Sequence, residues 1–135
     1  MERLVFTWTV RVYFEDTDSG GVVYHANYLK FMERARTEWL RSFELNQKKL
    51  KQEENIMFVV RKIDIQYKIP ARFNDLLKIQ TNCIKANDYS FTLKQNIMRE
   101  DQIITEGKVE IVCIGADIFK PVRIPKIAKK LMEIL

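Results

Sequence analysis

Three carboxylates stand close together near the start of the chain. Glu15, Asp16 and Asp18 fall within four residues, and Gly20 and Gly21 follow them directly. In an extended chain Asp16 and Asp18 point the same way, whereas Glu15 points to the opposite side. A positioned carboxylate can act as a nucleophile or as a general base. The local sequence by itself nevertheless favours a solvated loop in which Asp side chains cap turn amides.

The single histidine of the chain, His25, follows the glycine turn where a helix is expected to begin. A lone histidine is more often a structural hydrogen-bonding residue than a ligand. Its backbone, however, would lie in a first helical turn, whose free N–H groups and positive dipole end can stabilise a carbonyl oxygen that gains negative charge. Asp18 can fold back across the glycines toward the same point. The pair suits acyl transfer or hydrolysis without a metal, but it does not identify a thioester.

The acids and His25 must be positioned by a strand before them and a helix after them. Val, Thr and aromatic residues predict a strand over Phe6–Phe14. Apolar residues at steps of three, four and seven predict an amphipathic helix of about five turns from about Tyr24 to Phe43. Gln47–Asn55 is polar and is expected to form a loop or a short helical turn.

Four further strands and a short amphipathic helix complete the expected order of elements. The strands are predicted over Met57–Lys68, Leu77–Ala86, Tyr89–Arg99 and Ile103–Ile114, and the helix over Pro125–Leu135. Mostly tight turns join these strands. The pattern predicts one α+β domain over residues 1–135, in which an antiparallel sheet wraps around one buried helix.

The net charge and the two cysteines limit the classes of function that the chain can have. The net charge is +5 and the pI about 9.2, which fits either an ordinary basic surface or a site for a polyanion such as coenzyme A. Nucleic acid is another possible polyanion, and because the basic residues are scattered, composition does not choose between the two. A nucleic-acid partner is the least favoured, since it would need a clustered basic face. Cys83 and Cys113 stand apart in apolar stretches, which indicates small core residues in a reducing compartment and no metal site. No signal peptide or membrane span is recognised, and a cytoplasmic location is expected.

The long segment Val10–Tyr28, which contains the acids, both glycines and His25, closely resembles the YbgC-like acyl-CoA thioesterases of the 4-hydroxybenzoyl-CoA thioesterase group. The similarity continues through Phe31–Arg41, Phe58–Arg61 and Tyr67–Asp75. The resemblance implies a hot-dog fold, a curved antiparallel sheet of about five strands around one long central helix. It also implies that acyl-CoA thioesters are hydrolysed to a free acid and coenzyme A, with no cofactor.

The resemblance further implies roles for particular residues. Asp18 would be the catalytic carboxylate, as nucleophile or general base, and the backbone N–H of His25 would polarise the thioester carbonyl. The residues expected to contact substrate are Tyr24, Phe58, Val59, Val60 and Ser90. For Phe58, Val59 and Val60, a simple core role is an equal alternative.

The expected assembly is a homodimer or homotetramer with active sites at the dimer interface, where the strand around Phe58 comes partly from the partner subunit. Related thioesterases for aromatic acyl groups carry a basic cluster at the turn corresponding to Asn87–Ser90, but here only Lys85 is near in sequence. The alternative function is a non-catalytic hot-dog protein that binds acyl groups or acts as a scaffold, in contact with acyl carrier protein or envelope machinery.

Overall fold

The computed structural model describes residues 5–133. It contains five strands and two α-helices, in the order strand, two helices and four strands. The strands are β1 (Phe6–Arg11), β2 (Ile56–Tyr67), β3 (Leu76–Ala86), β4 (Ser90–Arg99) and β5 (Gln102–Gly115). The helices are α1 (His25–Arg41) and α2 (Gln47–Glu54), and short 3₁₀ helices cover Phe14–Asp16 and Lys126–Met132.

All five strands form one antiparallel sheet in the order β1-β3-β4-β5-β2. Tight connections join β3 to β4 and β4 to β5, so these strands are neighbours. The two strands on either side of the helices, β1 and β2, occupy opposite edges of the sheet. The expected five-stranded antiparallel α+β architecture is therefore confirmed.

The long helix α1 packs its apolar stripe on one face of this sheet. Its buried apolar residues recur at helical spacing and comprise Tyr28, Phe31, Met32, Ala35, Trp39 and Leu40. The sheet contributes fully buried side chains that include Leu77, Ile79, Leu93, Ile97 and Val109. Each such large apolar side chain stabilises the fold by about 1.5–3 kcal/mol relative to exposure. This packing fixes the helix N-terminus at one end of the sheet.

The first strand is shorter than the sequence predicts. β1 ends at Arg11, and Phe14–Asp16 form a 3₁₀ turn. The cause is local, because the backbone N–H of Tyr13 donates a hydrogen bond of 2.8 Å to the carboxylate of Asp16. Asp16 thus turns the chain away from the sheet just before Asp18.

The polar segment Gln47–Asn55 is more regular than a loop, since most of it forms α2. The side chain of Asn46 accepts a hydrogen bond from the backbone N–H of Lys49 and caps the helix N-terminus. Asn55 adopts φ 55°, in the left-handed region, and ends the helix. Two asparagine caps therefore define the ends of this helix, whose polar sequence has too few apolar residues to show a helical period.

Near the C-terminus, a 3₁₀ helix over Lys126–Met132 replaces the predicted amphipathic helix. Its buried residues, Ala128 and Leu131, are three apart, the spacing that aligns side chains on a 3₁₀ helix. The last two residues of the predicted helix, 134–135, lie outside the described residues. Between residues 5 and 133 no helix is both long and apolar enough to cross a membrane.

Candidate active site

The loop that carries Asp18 is folded into a small antiparallel ladder. Thr17 forms a β-bridge with Val23, and the backbone N–H of Asp18 donates to the carbonyl of Val22 at 2.9 Å. The tip of the loop is closed by a 3.0 Å hydrogen bond from the Gly21 N–H to the Asp18 carbonyl. Gly21 has φ 78°, which a residue with a Cβ adopts only with strain. The chain therefore reverses sharply between the acid and the helix.

The Asp18 side chain is exposed, and one carboxylate oxygen, Oδ1, accepts a hydrogen bond of 2.8 Å from the backbone N–H of Gly20. A Cβ at position 20 would lie 3.2 Å from the same oxygen, so the loop accommodates this contact best with glycine. The expected capping of a turn amide is thus present. The other carboxylate oxygen of Asp18 makes no hydrogen bond with residues 5–133 and is available to a reacting group.

The two neighbouring acids have other surroundings. The carboxylate of Asp16 accepts from the backbone N–H of Tyr13, and its carbonyl oxygen accepts two hydrogen bonds from the start of α1. Glu15 is exposed and makes no hydrogen bond or ion pair with the described residues. Asp18 is therefore the acid that combines a fixed backbone, an available oxygen and a place in the turn before α1.

Two hydrogen bonds fasten the loop to the start of α1. The carbonyl oxygen of Asp16 accepts from the backbone N–H of Tyr24 and from the side-chain amide of Asn27, each at 2.9 Å. The loop is held from its other side by Ala71, whose carbonyl accepts from the Val23 N–H at 2.8 Å. The order of acid, turn and helix predicted from sequence is thus held by contacts on both sides.

His25 is the first residue of α1, and its backbone N–H has no hydrogen-bond acceptor within residues 5–133. The preceding residue, Tyr24, adopts extended backbone angles, and its side chain does not cap the helix. This N–H and the positive end of the helix dipole can therefore serve an incoming carbonyl oxygen.

Aromatic side chains surround the first turn of α1. The Tyr67 hydroxyl, at the end of β2, donates to the His25 carbonyl oxygen at 3.1 Å. The ring centroids of Tyr24 and Tyr67 lie 4.5 and 6.4 Å from that of the imidazole. The hydroxyl of Tyr28 accepts from the Ala71 N–H at 3.0 Å. Burial raises the pKa of both Tyr28 and Tyr67, so both phenols stay protonated at neutral pH.

Three of the residues expected to contact substrate line a separate cavity of about 250 Å³ between the C-terminal half of α1 and the start of β2. These are Phe58, Val59 and Val60; the other lining residues are Glu33, Arg36, Thr37, Trp39, Leu40, Gln47, Phe91 and Ile111. The cavity begins eight residues after His25, about 12 Å along the helix axis at 1.5 Å per residue. Within one chain it is therefore offset from Asp18.

The other two residues expected to contact substrate lie elsewhere. Tyr24 is half-exposed beside His25, at the helix N-terminus. Ser90 is buried, and its hydroxyl donates to the Asn87 side chain at 3.2 Å. Ser90 lies in one sheet row with Val112 and Val59, and these side chains share a face. Phe58 and Phe91 lie on the opposite face, with ring centroids 5.3 Å apart. Ser90 is not among the residues that line the cavity.

A basic cluster lies at the Asn87–Ser90 turn, where the sequence predicts only Lys85 nearby. Arg123 forms an ion pair of 2.9 Å with Asp88 and lies 5.5 Å over the ring of Tyr89, while Lys129 approaches Asp88 at 3.9 Å. The C-terminal segment folds back to this turn through a hydrogen bond from the Ile124 N–H to the Asp88 carbonyl. The available signal was the density of cations, five of them between residues 120 and 130.

No set of three or more His, Cys, Asp and Glu side chains arranged to hold a metal ion occurs within residues 5–133. The chemical groups at the site are instead a carboxylate with an available oxygen, an unpaired helix N–H and tyrosine hydroxyls.

Comparison with known proteins identifies the family. The Thioesterase-like superfamily matches residues 12–133. Acyl-CoA thioester hydrolase YbgC of Escherichia coli is 45% identical over 127 residues, which cover 93% of this chain and 94% of that protein. Acyl-CoA thioesterase YbgC of Haemophilus influenzae is 41% identical over 124 residues, or 92% of this chain and 91% of that protein.

A solved structure agrees with these relatives. The crystal structure of a probable thioesterase from Bartonella henselae superimposes with a TM-score of 0.86 at 38% identity, and the match covers 90% of this chain and all of that one. The fold is thus the hot-dog fold of thioesterases, as the sequence resemblance implied. The chain belongs to the Thioesterase-like superfamily, and within it to the YbgC group of thioester hydrolases.

Proposed function

We propose that this protein hydrolyses acyl-CoA thioesters to a free acid and coenzyme A, with Asp18 as the catalytic carboxylate. The observation that carries the proposal is the junction between the acid loop and α1. There, Asp16 and Ala71 hold the loop against the helix start, and the His25 N–H has no acceptor within residues 5–133. A thioester carbonyl accepts this N–H, which stabilises negative charge on its oxygen as the carbon is attacked.

Asp18 supplies the second half of the reaction. As a general base it takes a proton from water, the water oxygen bonds to the thioester carbon, and the carbon–sulfur bond breaks. As a nucleophile it bonds to the same carbon and releases the thiolate, and water then cleaves the resulting anhydride. In both routes the coenzyme A thiolate leaves and is protonated, and the acid is released. No redox step or metal ion is required.

The offset between Asp18 and the cavity favours a site shared by two copies of the chain. β2 is an edge strand of twelve residues that pairs only with β5 within the described part of the chain. A second copy paired antiparallel to β2 about a two-fold axis would bring the start of one β2 toward the end of the other. The first carries Phe58 and Val60, and the second carries Tyr67 at His25. Each acyl group would then enter the cavity of the partner subunit.

Coenzyme A also needs cations for its phosphates. Arg123 and Lys129 stand beside the Asn87–Ser90 turn, and Lys126 and Lys130 are exposed on the same 3₁₀ helix. Asp88 is the acidic residue that pairs with this cluster, so a net positive charge remains at this end of the sheet. In the antiparallel dimer this end faces the Asp18 end of the other copy, where a bound phosphate chain would extend from the thioester.

The test of the chemistry is a thiol-release assay with a series of acyl-CoA substrates. We expect Asp18→Asn to lose at least ~100-fold in kcat, the scale of a principal catalytic group. Glu15→Gln is the matched control, because Glu15 is a neighbouring exposed acid with no hydrogen bond or ion pair to lose within residues 5–133, and it should retain parental activity. An active, folded Asp18→Asn protein would overturn the assignment.

The shared site has a test of its own, which uses mixed subunits. Asp18→Asn and Val60→Trp, a cavity-filling change, should each inactivate the protein. If acid and cavity come from different chains, co-refolding the two variants regenerates one intact site per mixed dimer, or roughly a quarter of parental activity. If both come from the same chain, each site of the mixed dimer retains one defect and no activity returns.

A further inference from the structure

The cavity beside α1 is lined by one cation, Arg36, and one carboxylate, Glu33, and the two side chains form no ion pair with each other. Apolar side chains form most of the lining, among them Trp39, Leu40, Phe58, Phe91 and Ile111. Arg36 reaches into the same space from α1 and is largely shielded from solvent. A cation in such surroundings loses hydration and gains from an anionic partner more than it would in water.

The contacts of Arg36 leave most of its donors unused. Nη1 donates to the side-chain oxygen of Gln95 at 3.0 Å, and this is its one side-chain hydrogen bond within residues 5–133. A guanidinium carries five N–H donors. Arg36 forms no ion pair within the same residues. The remaining donors can bind an oxygen that enters the cavity.

Gln95 holds this guanidinium in place. Its amide nitrogen donates to the carbonyl of Met32 at 2.9 Å and to the hydroxyl of Thr81 at 3.0 Å, so both of its N–H groups are used. Its oxygen therefore faces Arg36, and Gln95 is fully buried. The fixed orientation lowers the entropy cost of binding an anion to the guanidinium.

The second charged residue of the cavity, Glu33, lies on its rim. Glu33 is exposed, whereas Arg36 is mostly buried, so solvent screens the carboxylate more than the guanidinium. Burial lowers the pKa of Arg36, and the charge of Glu33 opposes this effect. Arg36 remains protonated at neutral pH, since a guanidinium does not lose its proton in proteins.

We propose that the cavity selects short acyl groups that carry a carboxylate at their far end, and that Arg36 is the residue that binds this carboxylate. The inference rests on the proposed function, in which the cavity receives the acyl group. A volume of about 250 Å³ suits a short chain, since pockets for drug-sized ligands begin at roughly 300 Å³. The planar guanidinium can pair with both oxygens of a carboxylate at once. It can therefore recognise the free carboxylate of a dicarboxylic acyl group.

The experiment compares glutaryl-CoA with pentanoyl-CoA, which have acyl chains of equal length and differ at the far end. We expect the parent protein to favour glutaryl-CoA by about tenfold in kcat/KM, the scale of one charge-assisted hydrogen bond. Arg36→Met should lower kcat/KM for glutaryl-CoA by about tenfold and leave pentanoyl-CoA within about twofold. Arg34→Met is the control, because Arg34 is exposed on the same helix and does not line the cavity.

A parent that prefers pentanoyl-CoA, or an Arg36→Met protein with the parental ratio, would overturn the inference while leaving thioester hydrolysis intact. If Arg36→Met fails to fold, Arg36→Lys keeps the charge without the planar fork and should give an intermediate ratio; a parental ratio would again overturn it. Calorimetric binding of both thioesters to Asp18→Asn gives a readout independent of turnover. There, glutaryl-CoA should bind more tightly, and equal affinities would contradict the role of Arg36.

Discussion

The hydroxyl of Tyr67 donates a hydrogen bond of 3.1 Å to the carbonyl oxygen of His25, which joins the end of an edge strand to the first peptide group of the long helix. The ring of Tyr67 also packs edge-on against Tyr28, with centroids 5.2 Å apart. The position of the helix N-terminus therefore depends on β2 as well as on the acid loop. Because β2 is also the strand proposed to pair with a second copy, assembly and catalysis share this contact.

Tyr67→Phe tests this contact, since it keeps the ring and removes the hydroxyl. We expect kcat to fall roughly fivefold with little change in KM, because one neutral hydrogen bond contributes about 1 kcal/mol and the His25 N–H acts mainly on the transition state. Tyr13→Phe is the matched control, as Tyr13 is exposed and its hydroxyl makes no hydrogen bond within the described part of the chain. Steady-state kinetics and thermal unfolding are measured for both variants. Parental kcat in Tyr67→Phe would exclude a positioning role.

Asn27→Ala should loosen the acid loop from the helix. The side chain is buried and donates to the carbonyl of Asp16, which also accepts from the Tyr24 N–H. Loss of this bond should cost about 1–2 kcal/mol in the free energy of unfolding and also lower kcat. Chemical denaturation and thiol release are the measurements. Ser42→Ala, which removes a side-chain hydrogen bond to the Trp39 carbonyl at the end of α1 and does not line the cavity, should affect stability alone.

The two glycines of the loop should respond differently to alanine. Gly21→Ala faces open space but must adopt φ 78°, so we expect a loss of about 1 kcal/mol of stability. Gly20→Ala brings a methyl group to 3.2 Å from the Asp18 carboxylate and should lower kcat by displacing it. Denaturant unfolding measures the expected stability loss of Gly21→Ala, and steady-state kinetics measures the expected fall in kcat of Gly20→Ala. Equal losses of kcat in the two variants would contradict a specific contact between position 20 and the Asp18 carboxylate.

Cys113 should be unreactive in the folded protein. Burial raises the pKa of its thiol to about 11, so at pH 8 the nucleophilic thiolate is scarce. Its folded-state pKa lies above the ordinary value, so the neutral thiol is favoured and stability is lost as the pH rises through the range from that value to about 11. Titration with a chromogenic disulfide at pH 8 should label Cys113 slowly before denaturation and rapidly after it. Rapid labelling of Cys113 in the native protein, located by peptide mapping, would contradict this expectation.

Periodicity and turn chemistry specify much of the fold locally. The helix predicted over Tyr24–Phe43 agrees closely with α1, which begins one residue later and ends two residues earlier. The prediction succeeds because the apolar residues of this segment repeat at the helical period. The four later strands were also predicted within a residue or two, since alternation and tight turns are properties of short segments. The asparagine caps of α2 were missed, because their signal lies in single residues at its ends.

For the site, the sequence by itself determined the order of acid, glycine turn and helix start, and the similarity in Val10–Tyr28 singled out Asp18 and His25. Only the tertiary structure decided how the neighbouring acids differ, because Asp16 and Asp18 bond to different backbone groups. It also decided which distant residues meet: Arg36 with Gln95, fifty-nine positions away, and Arg123 with Asp88, thirty-five away. Such pairs follow from the packing of helix on sheet and from the path of the C-terminal segment. Local periodicity records which face of an element is buried, but it carries no information on what that face meets.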